Sequence, residues 1–151
     1  MQEQLTMTLP LALAGAADKP WVETAPGQAW SKLLWADPQA GAWATLYWWK
    51  KGYVAQPHVH LSDAHLFVLS GKLQVRDGVY GPGDYGYEPN GAEHGATTTL
   101  EDCTYFFVCN GPLRMNADPA TGRPGYEVTC ADIVAMHAKA TVGNAPQTSM
   151  A

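Results

Sequence analysis

The chain has few cations, few cysteines and no long apolar run, and each shortage excludes a class of function. Nine Lys and Arg against fourteen Asp and Glu leave a formal charge of -5 over 151 residues. Non-specific affinity for nucleic acid or an anionic membrane comes from excess Lys and Arg, so neither partner is expected. A neutral or small anionic substrate fits this balance. The three cysteines, Cys103, Cys109 and Cys130, are odd in number and lack CxxC spacing, which argues against a zinc ribbon or redox pair and predicts a reducing, cytoplasmic setting. No apolar stretch approaches the ~20 residues that span a bilayer. The run Leu9 to Ala14 has the look of a signal-peptide core, but it is short and is preceded by Glu3 and no Lys or Arg; it is read as part of a mature N-terminal arm. Internal repeats and low-complexity blocks are also absent.

What is present is apolar material, 46% of the residues with 11% aromatic, enough for one domain with a core. The expected division is an arm over 1–28, a folded unit over 29–140 and a small, polar tail over 141–151. Strand signals dominate, at 29–36, 42–50, 52–60, 65–70, 72–76 and 103–109, with Asp37 to Gly41, Gly71, Asp77-Gly78 and Gly81-Pro82-Gly83 as turns. Many short strands with no helix between them predict an all-β antiparallel sandwich or barrel. Residues 116–125 read as a loop. Thr129 to Asp132 resembles a capping box that opens a short C-terminal helix to about Ala138, with His137 expected on its surface. The strand at 42–50 is apolar on both faces, with Trp43, Tyr47 and Trp49 on one and Ala44, Leu46 and Trp48 on the other. A second subunit covering the outer face, in a homodimer or homotetramer, is the economical explanation.

The chemistry lies in two segments that hold four of the five histidines. In Gly52 to His60, the alternation His58-Val59-His60 sends both imidazoles to the same face of a strand. His65 opens the returning strand and is expected to come back beside them. In Gly83 to His94, Pro89 and Gly91 fix a turn just before His94. Along the strand after Gly71, Lys72, Gln74 and Arg76 share one face while Leu73 and Val75 share the other. If the latter pair faces away from the cavity, Arg76 points into it as a cation able to stabilise developing negative charge. Glu88 is expected to pair with Arg76, to act as a base, or to sit at the mouth in water. Cys103, Tyr105, Phe107 and Cys109 share a face of the last core strand.

The two segments resemble the cupins. Gly52, His58, His60 and Gly71 match the first cupin motif, in which a Gly precedes His-x-His and a second Gly follows; the usual glutamate of that motif is replaced by His65. Gly83, Pro89, Gly91 and His94 match the second motif without a gap, with Thr98 in place of its optional final Asn. The resemblance covers about residues 29–110. It implies a jelly-roll barrel, a double-stranded β-helix, with one divalent metal per chain held by His58, His60 and His94, and with His65 as a detachable fourth ligand.

Gly111-Pro112-Leu113, Arg76 and Glu88 further resemble the small cupins that cleave β-diketones and hydroxyacetophenones with O2, although Leu66 stands where that subgroup can carry a tyrosine. This implies a dioxygenase acting on a small dicarbonyl or hydroxyketone, with Arg76 and Glu88 as catalytic residues and Thr97, Tyr105 and Phe107 as substrate contacts. Fe(II) is the favoured metal, with Zn, Ni, Mn or Cu as alternatives for an all-imidazole site. Two other readings remain open: a non-catalytic metal-binding cupin of the kind attached to anti-sigma factors, and a Zn- or Mn-dependent isomerase.

Overall fold

The computed structural model describes residues 19–139, so residues 1–18 of the arm, residue 140 and the tail over 141–151 lie outside the described part. Among the described residues there are twelve strands and one helix: β1 (Val22–Ala25), β2 (Ala29–Asp37), β3 (Ala42–Trp49), β4 (Val54–Ala55), β5 (His58–His60), β6 (Ala64–Val75), β7 (Gly78–Tyr80), β8 (Tyr85–Glu88), β9 (Glu93–His94), β10 (Thr97–Cys109), β11 (Leu113–Met115), β12 (Tyr126–Val128) and α1 (Cys130–Ala138). All pairings are antiparallel. One sheet runs β1-β2-β3-β10-β6-β7, with β4 on β10 and β8 on β6; a smaller one runs β12-β11-β5-β9. The chain is therefore mostly β with one short C-terminal helix, as the sequence predicts. No helix among the described residues is long and apolar enough to cross a membrane.

The larger sheet turns one face inward. Opposite partners Tyr105 and Tyr47, Phe107 and Thr45, and Cys109 and Trp43 all lie on that face, and they are buried or nearly so. Trp48, on the other face, is buried edge-to-face against Trp30 at 4.9 Å. Its burial is thus met within the chain, and no second subunit is needed to account for it. The segment expected as an arm contributes β1, which adds to β2 at the sheet edge.

Gly71 is not a turn between two strands; β6 runs through it. Its φ of +78° is open to glycine, and a Cβ there would sit 2.0 Å from the Asp102 carbonyl oxygen. The pairing register with β10 shifts around this point, as a β-bulge requires. One extra residue inverts the inside-outside alternation. Before the bulge, the even-numbered Ala64, Leu66 and Val68 are buried; beyond it, the odd-numbered Leu73 is buried and Val75 partly so.

The capping box forms as expected, with the Asp132 amide donating to Thr129 Oγ1 and the Thr129 amide to Asp132 Oδ2. His137 is not on the helix surface. It is buried, its Nδ1–H donates to the Ile133 carbonyl at 2.7 Å, and Nε2 accepts from Ser31 Oγ at 2.8 Å. The spacing that set Ile133 and His137 one turn apart put both on the face that packs against β2.

Candidate metal centre

His58 and His60 stand on β5, and the β5–β9 pairing puts His94 directly opposite His58. The turn of the second motif is stitched to the first, since Gly91 donates to the His60 carbonyl at 2.8 Å and His60 donates to the Ala92 carbonyl at 2.9 Å. Gly91, at φ +85°, supplies the left-handed residue that this turn needs. Pairing of two distant segments, not local sequence, therefore assembles the three imidazoles. One ligand atom from each lies within 4.8 Å of the others.

Glu88 completes the group from β8. Its Oε2 lies 2.9 Å from His60 Nε2 and its Oε1 lies 2.8 Å from His94 Nε2, while the Nε2 atoms of His58 and His60 are 3.2 Å apart. Neighbouring ligands around one ion with bonds near 2.1 Å stand about 3 Å apart, so this donor set fits a divalent cation. His58 is prepared for that role: Nδ1–H donates to the Gln56 carbonyl at 3.0 Å, which leaves the Nε2 lone pair facing the cluster. Burial lowers its pKa to about 4, keeping the ring neutral. Burial alone would raise the Glu88 carboxyl, but hydrogen bonds to His60 and His94 outweigh it and hold the pKa at about 2. The acid is ionised at neutral pH.

The structure does not bring His65 to this cluster. It follows the buried Ala64 on β6 and so faces outward with Phe67, where Nε2 pairs with Asp63 Oδ2 at 3.1 Å and Nδ1 meets the Tyr85 hydroxyl. Its expected place as a fourth ligand is corrected accordingly: nearness in sequence was outweighed by strand parity. The carboxylate of Glu88 lies beside the three imidazoles instead, paired with His60 and His94. Arg76 is corrected in the same way. Leu73 and Val75 face the cavity, so Arg76 points out, 72% exposed and paired with Asp77 Oδ1 at 3.1 Å. The Gly71 bulge is the cause, since without it the even positions would have stayed inside. Glu88 does not pair with Arg76.

Above the cluster opens a cavity of about 370 Å³, lined by His58, Glu88 and His94 at one end and by Thr97, Tyr105, Phe107, Tyr47 and Trp49 along the larger sheet. The remaining wall includes Leu113, Met115, Tyr126 and Ile133. Burial raises the Tyr47 phenol to about 12 and pushes Tyr105 well above the usual range, so both hydroxyls stay protonated. Thr97, Tyr105 and Phe107, the expected substrate contacts, are among the residues that line the cavity. Gln56, Arg123 and Tyr126 at the far end were not singled out from the sequence, because their residues lie in separate segments with no shared pattern.

The sequence model of the family described as ChrR cupin-like domain matches residues 11–114. An acetylacetone-cleaving enzyme of Acinetobacter johnsonii is 29% identical over 99 residues, 61% of this chain and 63% of that one; the match thus spans less than two thirds of that relative. The crystal structure of an acetylacetone dioxygenase from the same organism superposes with a TM-score of 0.76 at 20% identity, over 91% of this chain and 98% of the other. An RmlC-like cupin from Ralstonia eutropha JMP134 gives 0.76 at 19% identity over 86% of each chain. With more than half of its length matched by the family's own pattern, and with the fold and the histidine cluster in agreement, the chain belongs to the ChrR cupin-like domain family.

Proposed function

We propose that this protein is a dioxygenase that uses Fe(II), held by His58, His60 and His94, to cleave a carbon–carbon bond in a β-dicarbonyl or hydroxyketone. The observation that carries the reading is the cluster of three imidazoles, two of them paired with the Glu88 carboxylate, in the wall of a largely apolar cavity. The similarity to the acetylacetone-cleaving enzyme supports the substrate class.

A divalent ion at the three imidazoles supplies a Lewis acid and a redox-active centre. The protein's own groups do the rest. Glu88 is within reach of a ligand at the cluster and accepts the acidic proton from the carbon between the two carbonyl groups. Tyr105 and Tyr47 remain phenols that donate hydrogen bonds to a carbonyl oxygen, and Thr97 offers a hydroxyl. Phe107, Leu66 and Leu73 keep the cavity apolar and exclude water, which strengthens each of these polar contacts.

The test is oxygen uptake on a panel of β-diketones and hydroxyketones, joined to elemental analysis of the purified protein. Stoichiometric iron and substrate-dependent uptake support the reading. Full metal occupancy without uptake on any member of the panel favours a non-catalytic metal-binding role.

A homo-oligomer is part of the same proposal, with its contact moved from the β3 face to the outer face of β6 and β8. Phe67, Leu69, Tyr85 and Tyr87 stand there 41–57% exposed, a cluster of apolar surface of the sort that subunit contacts cover.

A further inference from the structure

The cavity is longer than a small diketone requires, and its far end carries the one arginine that lines it. His58 pairs with Met115, and Met115 with Tyr126, so the floor runs two strand spacings from the metal ligands to Tyr126, about 10 Å. At roughly 1.2 Å of reach per bond, a five-carbon dicarbonyl spans only about 5 Å. Over Tyr126 sits Arg123, with its guanidinium carbon 4.4 Å from the ring centroid.

The backbone at Arg123 is held in place, while its side chain is exposed at the rim. The Asp118 amide donates to the Arg123 carbonyl at 2.8 Å, and the Asp118 carboxylate accepts from the Ala120 amide at 3.0 Å and from Thr121 Oγ1 at 2.8 Å. The Tyr126 hydroxyl donates to Gln56 Oε1 at 3.4 Å, and Gln56 Nε2 donates to the Asn116 carbonyl at 2.9 Å, which braces the ring under the cation. The other two arginines are committed, Arg76 to Asp77 and Arg114 to Glu127. Among the described residues no carboxylate stands within 4.0 Å of the Arg123 guanidinium. A guanidinium stacked on an aromatic ring at the exposed rim of a cavity, with the Asp118 carboxylate acting on it only through space, is able to receive a planar anion.

We propose that Arg123 is a specificity-determining residue and that the substrate is an elongated acid. Its dicarbonyl or hydroxyketone head lies at the histidine cluster, its aromatic or aliphatic body lies along Phe107, Leu113 and Met115, and its carboxylate meets Arg123 at the mouth. This rests on the proposed function for the head group alone; the anion site stands on the geometry of the loop.

The test uses metal-loaded full-length protein and quenching of tryptophan fluorescence, since Trp49 lines the cavity. Three probes are compared: 1-phenylbutane-1,3-dione, its 4-carboxyphenyl analogue, and 6-phenylhexanoate, which carries the acid and no dicarbonyl. The wild type is expected to bind the carboxylated diketone about tenfold more tightly than the neutral one, the scale of one charge-assisted hydrogen bond partly open to water. Arg123→Gln removes that preference, Arg123→Lys keeps part of it, and the melting temperature of both matches the wild type. Arg123-dependent binding of 6-phenylhexanoate with no binding of either diketone retains the anion site and overturns the dicarbonyl reading. Equal affinities for the two diketones in wild type and Arg123→Gln overturn the inference and leave the dicarbonyl reading intact.

Discussion

His58 and His94 stack face to face across the β5–β9 pair, their ring centroids 4.9 Å apart and their planes 25° from parallel. The pair belongs to segments more than thirty residues apart in sequence, so the centre exists only when the small sheet has formed. Metal binding and folding are therefore linked.

Replacing His94 with Ala is expected to abolish metal retention and to lower the melting temperature of protein purified with metal. Binding to the folded state alone adds about 2.7 kcal/mol at a free metal concentration one hundred times Kd. Elemental analysis beside thermal unfolding measures both, and full metal content in the variant would contradict the assignment.

Glu88→Gln keeps the shape of the side chain and removes its charge. Turnover of an identified substrate should fall by roughly 10²- to 10⁴-fold, the usual contribution of a positioned base, while the three imidazoles retain the metal. Loss of the metal together with activity would show that the carboxylate serves as a ligand rather than as a base.

His65→Ala and Arg76→Ala should leave metal content and kcat within about threefold of the wild type, since both side chains face out. A large loss of kcat in Arg76→Ala at normal metal content would return that residue to the cavity.

Acid should unfold the metal-free protein through its buried histidines. Burial lowers the pKa of His58 to about 4 and also lowers that of His137, against 6.5 in the unfolded chain. The folded state binds fewer protons, so their stabilisation is complete above pH 6.5 and is lost as the pH falls through the folded values. A melting temperature that is flat above pH 7 and falls steadily toward pH 4 is expected. His137→Ala, which strands the buried Ser31 hydroxyl, should cost about 1–3 kcal/mol at pH 7 and flatten part of that slope.

Light scattering should report a dimer or larger species, and Phe67→Glu with Leu69→Glu should shift it to the monomer without changing metal content. A wild-type monomer at micromolar concentration would remove the proposed contact on β6 and β8.

The sequence by itself determined the strand-rich class and the capping box at Thr129, because each is written in short-range spacing, period-two alternation and a four-residue box; the His58, His60 and His94 set was legible through the resemblance to the two cupin motifs. The sequence also put Tyr105 and Phe107 on one strand face. Tertiary structure alone decided which way His65 and Arg76 point. A strand's faces are labelled inside and outside only by what packs on them, and the bulge that inverts the labels at Gly71 is set by its close approach to Asp102 on the neighbouring strand. The same holds for Glu88, drawn to His60 and His94 by hydrogen bonds across three strands, and for Arg123, whose place over Tyr126 depends on a loop pinned by Asp118. Each of these is a long-range contact, and no local pattern in the chain encodes its outcome.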